Sequence, residues 1–335
     1  MIIILQKRKR VTKMSVKTKL MHAFEESEGE FISGEQIART LGISRNAVWK
    51  TINRLKKEGC PIEAVRSRGY RIADTDIITT DGILGFLDCP FKDIRLFDEL
   101  DSTNNLAKEL ARGGTENAVI IAQRQSAGKG RMGRSFFSPD GGIYMSVILR
   151  PKLSLEIAQL LTSCTAVAVA EAIDGLYGGN AQIKWVNDIF VNGRKLCGIL
   201  TEASMSFEAG QLEYAVIGIG INVHSIKKNL PEELSGIVTS LEDEYSVKIR
   251  RSRLIAEVLN SLAANLGNIE NRDFLSAYRS RSYVIGKSVI VMHANGEREA
   301  KAVGIDELAG LIVEYENGET EALKSGEVRI KCKQS

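Results

Sequence analysis

The most informative segment of this chain is Gly128-Lys129-Gly130-Arg131-Met132-Gly133-Arg134. Its three glycines allow the backbone to bend tightly and to approach a ligand closely. The lysine and the two arginines between them supply positive charge and N–H donors, which suit phosphate and carboxylate groups. The pattern predicts an anion-binding loop, but a solvated basic surface loop has the same composition, and the segment alone does not decide between them.

A second group of motifs changes this balance. Lys184 stands beside Trp185 among apolar residues, which is unlike an ordinary surface lysine. The motifs, in addition to the glycine-rich loop, are Asp101-Ser102-Thr103-Asn104, Lys184-Trp185-Val186-Asn187-Asp188-Ile189 with Arg194-Lys195-Leu196-Cys197-Gly198-Ile199-Leu200, and Gly218-Ile219-Gly220-Ile221-Asn222-Val223. In this order they resemble the biotin protein ligase family, and the resemblance covers residues 14–331. The family usually has Arg at the position of Lys129 and commonly Pro at that of Val186.

Charge is unevenly distributed along the 335 residues, of which 44% are hydrophobic and 26% charged. Residues 1–72 contain 16 lysines and arginines against 7 acidic residues, a net charge of +9, whereas the remainder carries −6. A basic first domain on an acidic remainder indicates that the N-terminal part meets a polyanion. The length allows two or three domains.

Cysteine and histidine spacing argues against a zinc site. The cysteines are odd in number and scattered, at Cys60, Cys89, Cys164, Cys197 and Cys332. This favours a reducing compartment, with no disulfide framework and no zinc. His22, His224 and His293 are far apart in sequence, and core or surface positions are a better interpretation than a catalytic pair.

Residues 1–15 are interpreted as an N-terminal extension, with Met14 as an alternative start. The apolar run Ile2–Leu5 precedes the basic residues, which is the wrong order for a signal peptide, and the run is too short. No uncharged run is long enough to cross a bilayer, so we expect a cytoplasmic protein with no membrane partner.

Residues 16–76 are predicted to form a winged helix-turn-helix. A helix over 17–28 precedes two helices capped by Ser33 and Ser44, and the runs 62–65 and 70–72 predict a hairpin with a basic turn. The residues predicted to contact operator DNA are Ser44, Arg45, Asn46, Lys50, Arg66 and Arg68. The alternative is a small helical bundle with a solvated charged face, but the basic hairpin and the net charge favour DNA.

The remainder is predicted to be α+β, as part of a multidomain chain. A polar stretch over 73–80 leads into a mixed α/β domain over 77–284, with strands at 119–123, 143–149, 199–202 and 214–222 and helices at 154–176, 253–266 and 272–281. Residues 285–335 show short strands with Asn295-Gly296 and Asn317-Gly318 as hairpin turns. The resemblance implies a class II synthetase-like ligase domain and an SH3-like C-terminal β-barrel.

The resemblance implies a two-step reaction in which biotin and ATP give biotinyl-5′-AMP and the biotinyl group passes to a lysine of a biotin carboxyl carrier protein. Because a carboxylate must approach a triphosphate, lysine, arginine and Mg²⁺ are expected at the site. The resemblance implies that Lys184 and Arg131 are the catalytic residues. The expected biotin contacts are Ser102, Thr103, Asn104, Gln125, Lys129, Gly130, Arg131 and Lys184. The expected adenylate contacts are Gly128, Arg134, Trp185, Asn187 and Asn222, with Asp188 as a possible Mg²⁺ ligand and Trp185 alternatively a core residue.

Three functional hypotheses follow. The first is a bifunctional ligase and biotin-responsive repressor that forms a homodimer when the adenylate is bound. The second is a repressor that senses biotin without catalysis, which the intact Lys184 and Arg131 disfavour. The third is a P-loop ATPase, which is poor because Lys129 is followed by Gly130 rather than by Ser or Thr. Lipoate ligases share the implied fold, but the complete glycine-rich loop points to biotin.

Overall fold

The computed structural model describes residues 16–27, 29–57, 60, 62–72, 76–151, 153–206, 211–227, 230–293, 296–324, 326 and 328–330. The chain divides into two compact units, which meet between Phe86 and Leu87 in the sequence. The predicted N-terminal extension lies outside the described residues, as do residues 73–75 of the predicted polar stretch, Asn295 and Cys332.

The first unit contains three helices, a hairpin and a fourth helix: α1 Val16–Glu26, α2 Gly34–Leu41, α3 Arg45–Lys57, β1 Ile62–Val65, β2 Gly69–Ile72 and α4 Thr80–Phe86. The two predicted caps are confirmed. Ser33 Oγ accepts from the Gln36 N–H at 3.0 Å, and Ser44 Oγ accepts from the Ala47 N–H at 3.1 Å. One apolar face of each of the first three helices enters a common core with the hairpin.

The hairpin is held against the segment before α2. Ile32 and Tyr70 exchange backbone hydrogen bonds at 2.8 and 2.9 Å. Gly69 has φ +103°, and a Cβ there would lie 2.2 Å from the carbonyl oxygen of Ile32, so glycine is required. Helix, turn, helix and hairpin together form the predicted winged helix-turn-helix arrangement.

Helix α4 packs on α1 within this unit. Lys17 Nζ lies 2.6 Å from Asp81 Oδ2, and the rings of His22 and Phe86 stack with centroids 4.4 Å apart. The first unit therefore extends beyond residue 76, where the sequence-based boundary was placed.

The second unit is built on a sheet flanked by helices. Its strands are β3 Asp93–Leu100, β4 Ala118–Gln125, β5 Ile143–Leu149, β6 Gln182–Lys184, β7 Asp188–Val191, β8 Arg194–Ser206, β9 Gln211–Ile221, β10 Ser288–His293, β11 Gly296–Ile305, β12 Leu311–Tyr315, β13 Thr320–Leu323 and β14 Val328–Ile330. Its helices are α5 Thr103–Arg112, α6 Leu155–Ala158, α7 Leu161–Tyr177, α8 Leu241–Glu244, α9 Arg251–Gly267 and α10 Phe274–Ser280.

In the described part of the chain, β3 to β9 form one sheet in the order β3-β4-β5-β9-β8-β7-β6, with β3 and β4 parallel and the other pairs antiparallel. All seven residues of β5 are buried, so this strand is covered on both faces. Helix α7, which packs against α9, has 11 of its 17 residues buried.

The predicted helix over 154–176 is wrong in one respect, because the chain forms two helices there, α6 and α7. Ser154 Oγ caps α6 by accepting from the Ile157 N–H at 3.3 Å, and the interruption at Gln159 and Leu160 places Leu160 in the core. The stretch Leu155–Tyr177 is long and apolar enough to cross a membrane, but two thirds of it are buried inside the unit, as expected of a core helix.

Strands β10 to β14 form a second antiparallel sheet in the order β13-β12-β11-β10-β14. The short strands predicted for the C-terminal part are confirmed, and β12 ends shortly before the predicted Asn317-Gly318 turn. Side chains from the rest of the second unit contact this sheet and its turns. The Nε1–H of Trp185, which follows β6, donates to the carbonyl of Ala309 at 2.9 Å, and the guanidinium of Arg279 on α10 donates to the carbonyls of Ile305 and Asp306 at 3.0 and 3.1 Å.

Candidate active site

An open cleft lies on the larger sheet, beneath the loop that follows β4. The cleft is lined by all the residues predicted to bind biotin: Ser102, Thr103, Asn104, Gln125, Lys129, Gly130, Arg131 and Lys184. Arg134, Trp185, Asn187 and Asp188 also line it, so the four sequence motifs converge on one place.

Glycines of β8 and β9 make the floor of the cleft. A Cβ on Gly218 would lie 2.3 Å from Asn104 Oδ1, and a Cβ on Gly220 would lie 2.5 Å from the ring of Phe136. Gly198 opposes Gly220 across the strand pair and faces the same ring. The Gly-Ile-Gly run is therefore a requirement for space, which lets Asn104 and Phe136 lie directly on the sheet.

A polar wall forms where α5 begins. Gln125 Oε1 accepts from the backbone N–H of Thr103 at 2.8 Å and lies 3.1 Å from the Thr103 hydroxyl. Ser146, completely buried on β5, places its hydroxyl 2.7 Å from Thr103 Oγ1 and 2.6 Å from Asn104 Oδ1. These hydroxyl and amide groups are held at fixed positions, as recognition of a polar ligand head requires.

Cations face this wall from the other side. Lys184 ends β6, with its Nζ 5.5 Å from the centroid of the Phe190 ring. Arg131 reaches across from the loop and donates to Asn187 Oδ1 at 3.2 Å. Burial raises the pKa of Tyr278 despite the opposing charge of Arg131, and the neutral hydroxyl donates to the carbonyl of Val186 at 3.1 Å.

The glycine-rich loop is closed on itself by backbone hydrogen bonds. The Gly130 N–H donates to the Arg134 carbonyl at 2.7 Å, and the Phe136 N–H donates to that of Gly128 at 2.8 Å. Met132, at the tip, has φ +54° and ψ +37°, and its side chain is 77% exposed. A non-glycine residue in the left-handed region is uncommon, and here it brings an exposed apolar side chain to the rim of the cleft.

Lys129 extends from the loop to the beginning of α5. Its Nζ lies 2.6 Å from Asn105 Oδ1. Hydrogen bonds from Asn105 and from the Ser102 N–H, together with the charge of Lys129, lower the pKa of Asp101. The cation at this position therefore holds the Asp101-Ser102-Thr103-Asn104 motif against the loop.

Two residues predicted to contact the adenylate are not among the described residues that line the cleft. Gly128 begins the loop and is buried, and a Cβ there would be 2.4 Å from the Phe136 carbonyl oxygen. Asn222 is 4% exposed and donates to the carbonyl of Thr239 at 2.9 Å. Trp185 does line the cleft, but its indole N–H is engaged by Ala309.

Other lining residues were missed by sequence reasoning. Lys195 Nζ lies 2.7 Å from Asp188 Oδ1 and 6.0 Å from the centroid of the Phe136 ring. Lys195 belongs to a motif quoted from the sequence, which was the available signal. Val328 begins β14 and Gly326 lies between β13 and β14, and no local sequence pattern connects either residue with the cleft.

The first unit presents a separate cationic surface. Arg45, Asn46 and Lys50 are exposed on α3, as are Arg66 and Arg68 on the hairpin turn. The Ser44 hydroxyl is engaged in capping α3, which limits it as a contact to another molecule. Trp49, 54% exposed on the same face of α3, was not predicted as a contact.

The cleft combines fixed polar groups with cations, as a ligand-binding site for a polar, anionic molecule does, and the same chain carries a helix-turn-helix unit. Family models match each part, as the HTH domain over residues 16–71, the Biotin/lipoate A/B protein ligase family over 96–222 and the Biotin protein ligase C terminal domain over 284–330. The chain belongs to the biotin protein ligases, in the family of bifunctional ligase/repressors.

Individual relatives agree with this membership. The chain is 37% identical over 307 residues to the bifunctional ligase/repressor BirA of Bacillus subtilis, covering 89% of this chain and 94% of that protein. It is 29% identical to BirA of Escherichia coli, covering 91% and 94%. Among solved structures, the biotin protein ligase of Aquifex aeolicus in complex with biotin and ATP aligns with a TM-score of 0.62 and 27% identity, over 72% of this chain and 99% of that one.

Proposed function

We propose that this protein activates biotin with ATP to biotinyl-5′-AMP, transfers biotin to one lysine of a biotin carboxyl carrier protein, and represses biotin synthesis or transport genes in response to biotin. The observation that carries the ligase function is the convergence of Lys184 and Arg131 with the polar wall of Thr103 and Gln125 in one cleft. A ligand that has a polar head and an acidic tail can contact the polar wall with its head and the two cations with its tail.

The charges of the first step determine the roles of the cations. A carboxylate that attacks an α-phosphate is repelled unless positive charge lies between the two, and Lys184 supplies it at the end of β6. Arg131 lies on the glycine-rich loop, so its positive charge is carried by the segment that covers the cleft. The floor and wall hold the biotin head, and the reaction depends on this positioning.

Asp188, the one carboxylate among the described residues that line the cleft, is the proposed Mg²⁺ ligand. Mg²⁺ in nucleotide sites is commonly held by one or two carboxylates together with phosphate oxygens. When bound, the ion neutralises phosphate charge. Asp188 would hold it, and Lys195, now paired with Asp188 at 2.7 Å, would remain beside the phosphates.

The finer features of the fold and setting belong to the same proposal. The mixed sheet is of the class II synthetase-like type, and the five C-terminal strands form an SH3-like barrel. We place the protein in the cytoplasm, where carrier proteins, ATP and operator DNA occur together.

The decisive experiment incubates the full chain with ATP, Mg²⁺ and labelled biotin, with and without a carrier domain. We expect pyrophosphate release in both reactions and labelled carrier in the second. Tight biotin binding without carrier labelling would instead identify a non-catalytic biotin sensor.

The repressor function is supported by the exposed cations of α3 and of the hairpin. In a winged helix-turn-helix the second helix of the motif enters the major groove, and a symmetric dimer reads two inverted half-sites. Replacing Arg45 and Lys50 by alanine should remove operator binding and leave ligation intact. Unchanged binding by this variant to its own biotin-gene promoter, at fixed salt, would exclude this face as the DNA contact.

A further inference from the structure

A chain of hydrogen bonds connects the polar wall to an ion pair between Lys108 on α5 and Glu202 on β8. Neither residue is among the described residues that line the cleft. Glu202 Oε1 lies 2.6 Å from Lys108 Nζ, and its Oε2 accepts from Asn104 Nδ2 at 2.9 Å. Burial opposes ionisation of Glu202, but the hydrogen bonds from Lys108 and Asn104 outweigh it and lower its pKa. The carboxylate is therefore charged and only accepts.

This carboxylate fixes the amide of Asn104. The Nδ2 group faces two acceptors, Glu202 and the carbonyl of Leu200 at 3.4 Å, so the Oδ1 atom must face Ser146 on the other side. The reversed amide would place Oδ1 against a carboxylate, without a hydrogen between them.

The amide of Gln125, at the other end of the wall, is fixed independently. The Ser138 hydroxyl donates to the carbonyl of Phe136 at 2.8 Å, so Ser138 Oγ accepts from Gln125 Nε2 at 2.9 Å. Gln125 Oε1 consequently faces Thr103, whose backbone N–H it accepts at 2.8 Å.

Between the fixed amides of Asn104 and Gln125, the hydroxyl groups supply fewer hydrogens than there are hydrogen-bonding contacts. The contacts are Asn104 Oδ1 to Ser146 Oγ at 2.6 Å, Ser146 Oγ to Thr103 Oγ1 at 2.7 Å, and Thr103 Oγ1 to Gln125 Oε1 at 3.1 Å. The two hydroxyls supply one hydrogen each, which fills two of the three contacts. The shorter contacts take them, and Thr103 Oγ1 and Gln125 Oε1 remain as two acceptors side by side.

We propose that Glu202 is a positioning residue which, through Asn104, keeps the wall one hydrogen short, so that the site selects a ligand offering an N–H donor to Thr103 and Gln125. Both residues line the cleft, where a ligand can reach them. The inference rests on the proposed function, since the urea head of biotin carries donors of this kind. A ligand without the N–H leaves the acceptors unpaired and is rejected.

The sharpest test is Glu202→Gln, because Lys108 then decides how the new amide is turned. The Lys108 ammonium attracts the oxygen of the new side chain, which turns the NH₂ group towards Asn104. Asn104 reverses, its own NH₂ donates to Ser146, and the missing hydrogen is supplied from within. Titration of the full-length protein with biotin alone should show affinity weakened about tenfold, the usual cost of a lost ligand hydrogen bond to a fixed acceptor. ATP affinity should not change.

The double variant separates this role from a structural one. In Lys108→Met/Glu202→Gln the new amide turns freely, Asn104 recovers its orientation, and biotin affinity should rise again above that of Glu202→Gln. Lys108→Met alone keeps the Glu202 carboxylate and should weaken biotin binding least of the three variants. If the ion pair only stabilised the fold, both single variants would lose biotin affinity equally, and the double variant would recover none of that affinity. Glu213→Gln is the matched control, since Glu213 on β9 accepts from Ser204 on β8 at 2.9 Å and is not among the described residues that line the cleft.

A second variant approaches the same wall from inside. Ser146→Ala leaves the Thr103 hydrogen free to donate to Gln125, which fills the acceptor pair, so biotin should again bind about tenfold more weakly. Ser163→Ala, at a buried serine of α7 whose hydroxyl donates to Leu160, is its control. Wild-type affinity in Glu202→Gln or Ser146→Ala overturns the inference, and so does a double variant no better than Glu202→Gln. Absence of biotin binding by the unaltered protein would overturn the proposed function instead.

Discussion

Lys184 is the residue on which the proposed chemistry depends most, and its neighbours explain why it is placed where it is. It pairs in register with Asp188 across the β6–β7 turn, so the motif carries a cation and a carboxylate to the same edge of the cleft. Phe190 on β7 lies beneath the ammonium group. A short hairpin thus holds the charge without depending on a mobile loop.

We predict that Lys184→Ala lowers the rate of adenylate formation about a hundredfold or more, the usual effect of removing a key electrostatic stabiliser. The melting temperature should be retained, because the side chain is only partly buried and supports no core packing. The measurement is pyrophosphate release at saturating biotin and ATP, with Lys227→Ala, an exposed lysine paired with Asp243, as control. A rate near that of the wild type would remove Lys184 from the mechanism.

The residues that carry chemistry were largely predictable, whereas those that orient them were not. Lys184, Arg131 and Thr103 stand in short motifs whose composition indicates a charged or polar role. Ser146 and Glu202 lie on different strands, and only pairing through β9 brings them to Asn104. A single serine in an apolar strand resembles any core serine until the sheet is assembled.

Among the helices and strands, those that are most completely buried were predicted most accurately from the sequence. Strand β5 was predicted with its observed ends, because a continuous apolar run has clear limits. Strand β3 was not predicted, since it lies at the edge of the sheet and alternates charged with apolar residues. The break between α6 and α7 has no glycine or proline to mark it.

The glycine-rich loop gives a prediction at this scale. Gly128→Ala should lower ligation at least tenfold, because the new Cβ would lie 2.4 Å from the Phe136 carbonyl oxygen and 2.6 Å from Ser138 Oγ, and the loop must move away from the floor. Stability should change little, since the loop lies at the surface. Gly175→Ala, in α7 with open space around its Cβ position, should preserve both activity and stability. Carrier biotinylation rates compare the two variants, and equal rates would show that the loop tolerates the shift.

At the scale of the whole molecule, the division between Phe86 and Leu87 predicts a separable ligase. A chain that begins at Leu87 should ligate biotin to carrier and bind no operator DNA, because the cationic surface of α3 and the hairpin has been removed. A chain that begins at residue 77 retains α4 without α1, which exposes the buried Ile83, and should be less soluble. Light scattering, carrier biotinylation and DNA titration measure the three properties. Failure of the folded Leu87 chain to ligate would mean that the first unit is required for catalysis.

The ligase and the DNA-binding activities should be coupled. One winged helix reads one half-site, so operator binding needs a dimer, and we propose that adenylate in the cleft favours that dimer. A ligand shifts such an equilibrium only by its differential affinity for the two states, typically about 1–3 kcal/mol of coupling. DNA affinity should therefore rise when biotin and ATP are added. It should fall when unbiotinylated carrier is added, since carrier consumes the adenylate.

Reciprocity makes this prediction strict, because binding free energies around a closed cycle must balance. Operator DNA should tighten adenylate binding by the same factor by which adenylate tightens DNA binding. Both factors can be measured by titration at one salt concentration, which must be fixed because phosphate contacts make affinity salt-dependent. Lys50→Ala lowers DNA affinity in both states and should leave the coupling factor unchanged. Equal DNA affinity with and without adenylate would describe a ligase that carries a DNA-binding domain but is not controlled by biotin.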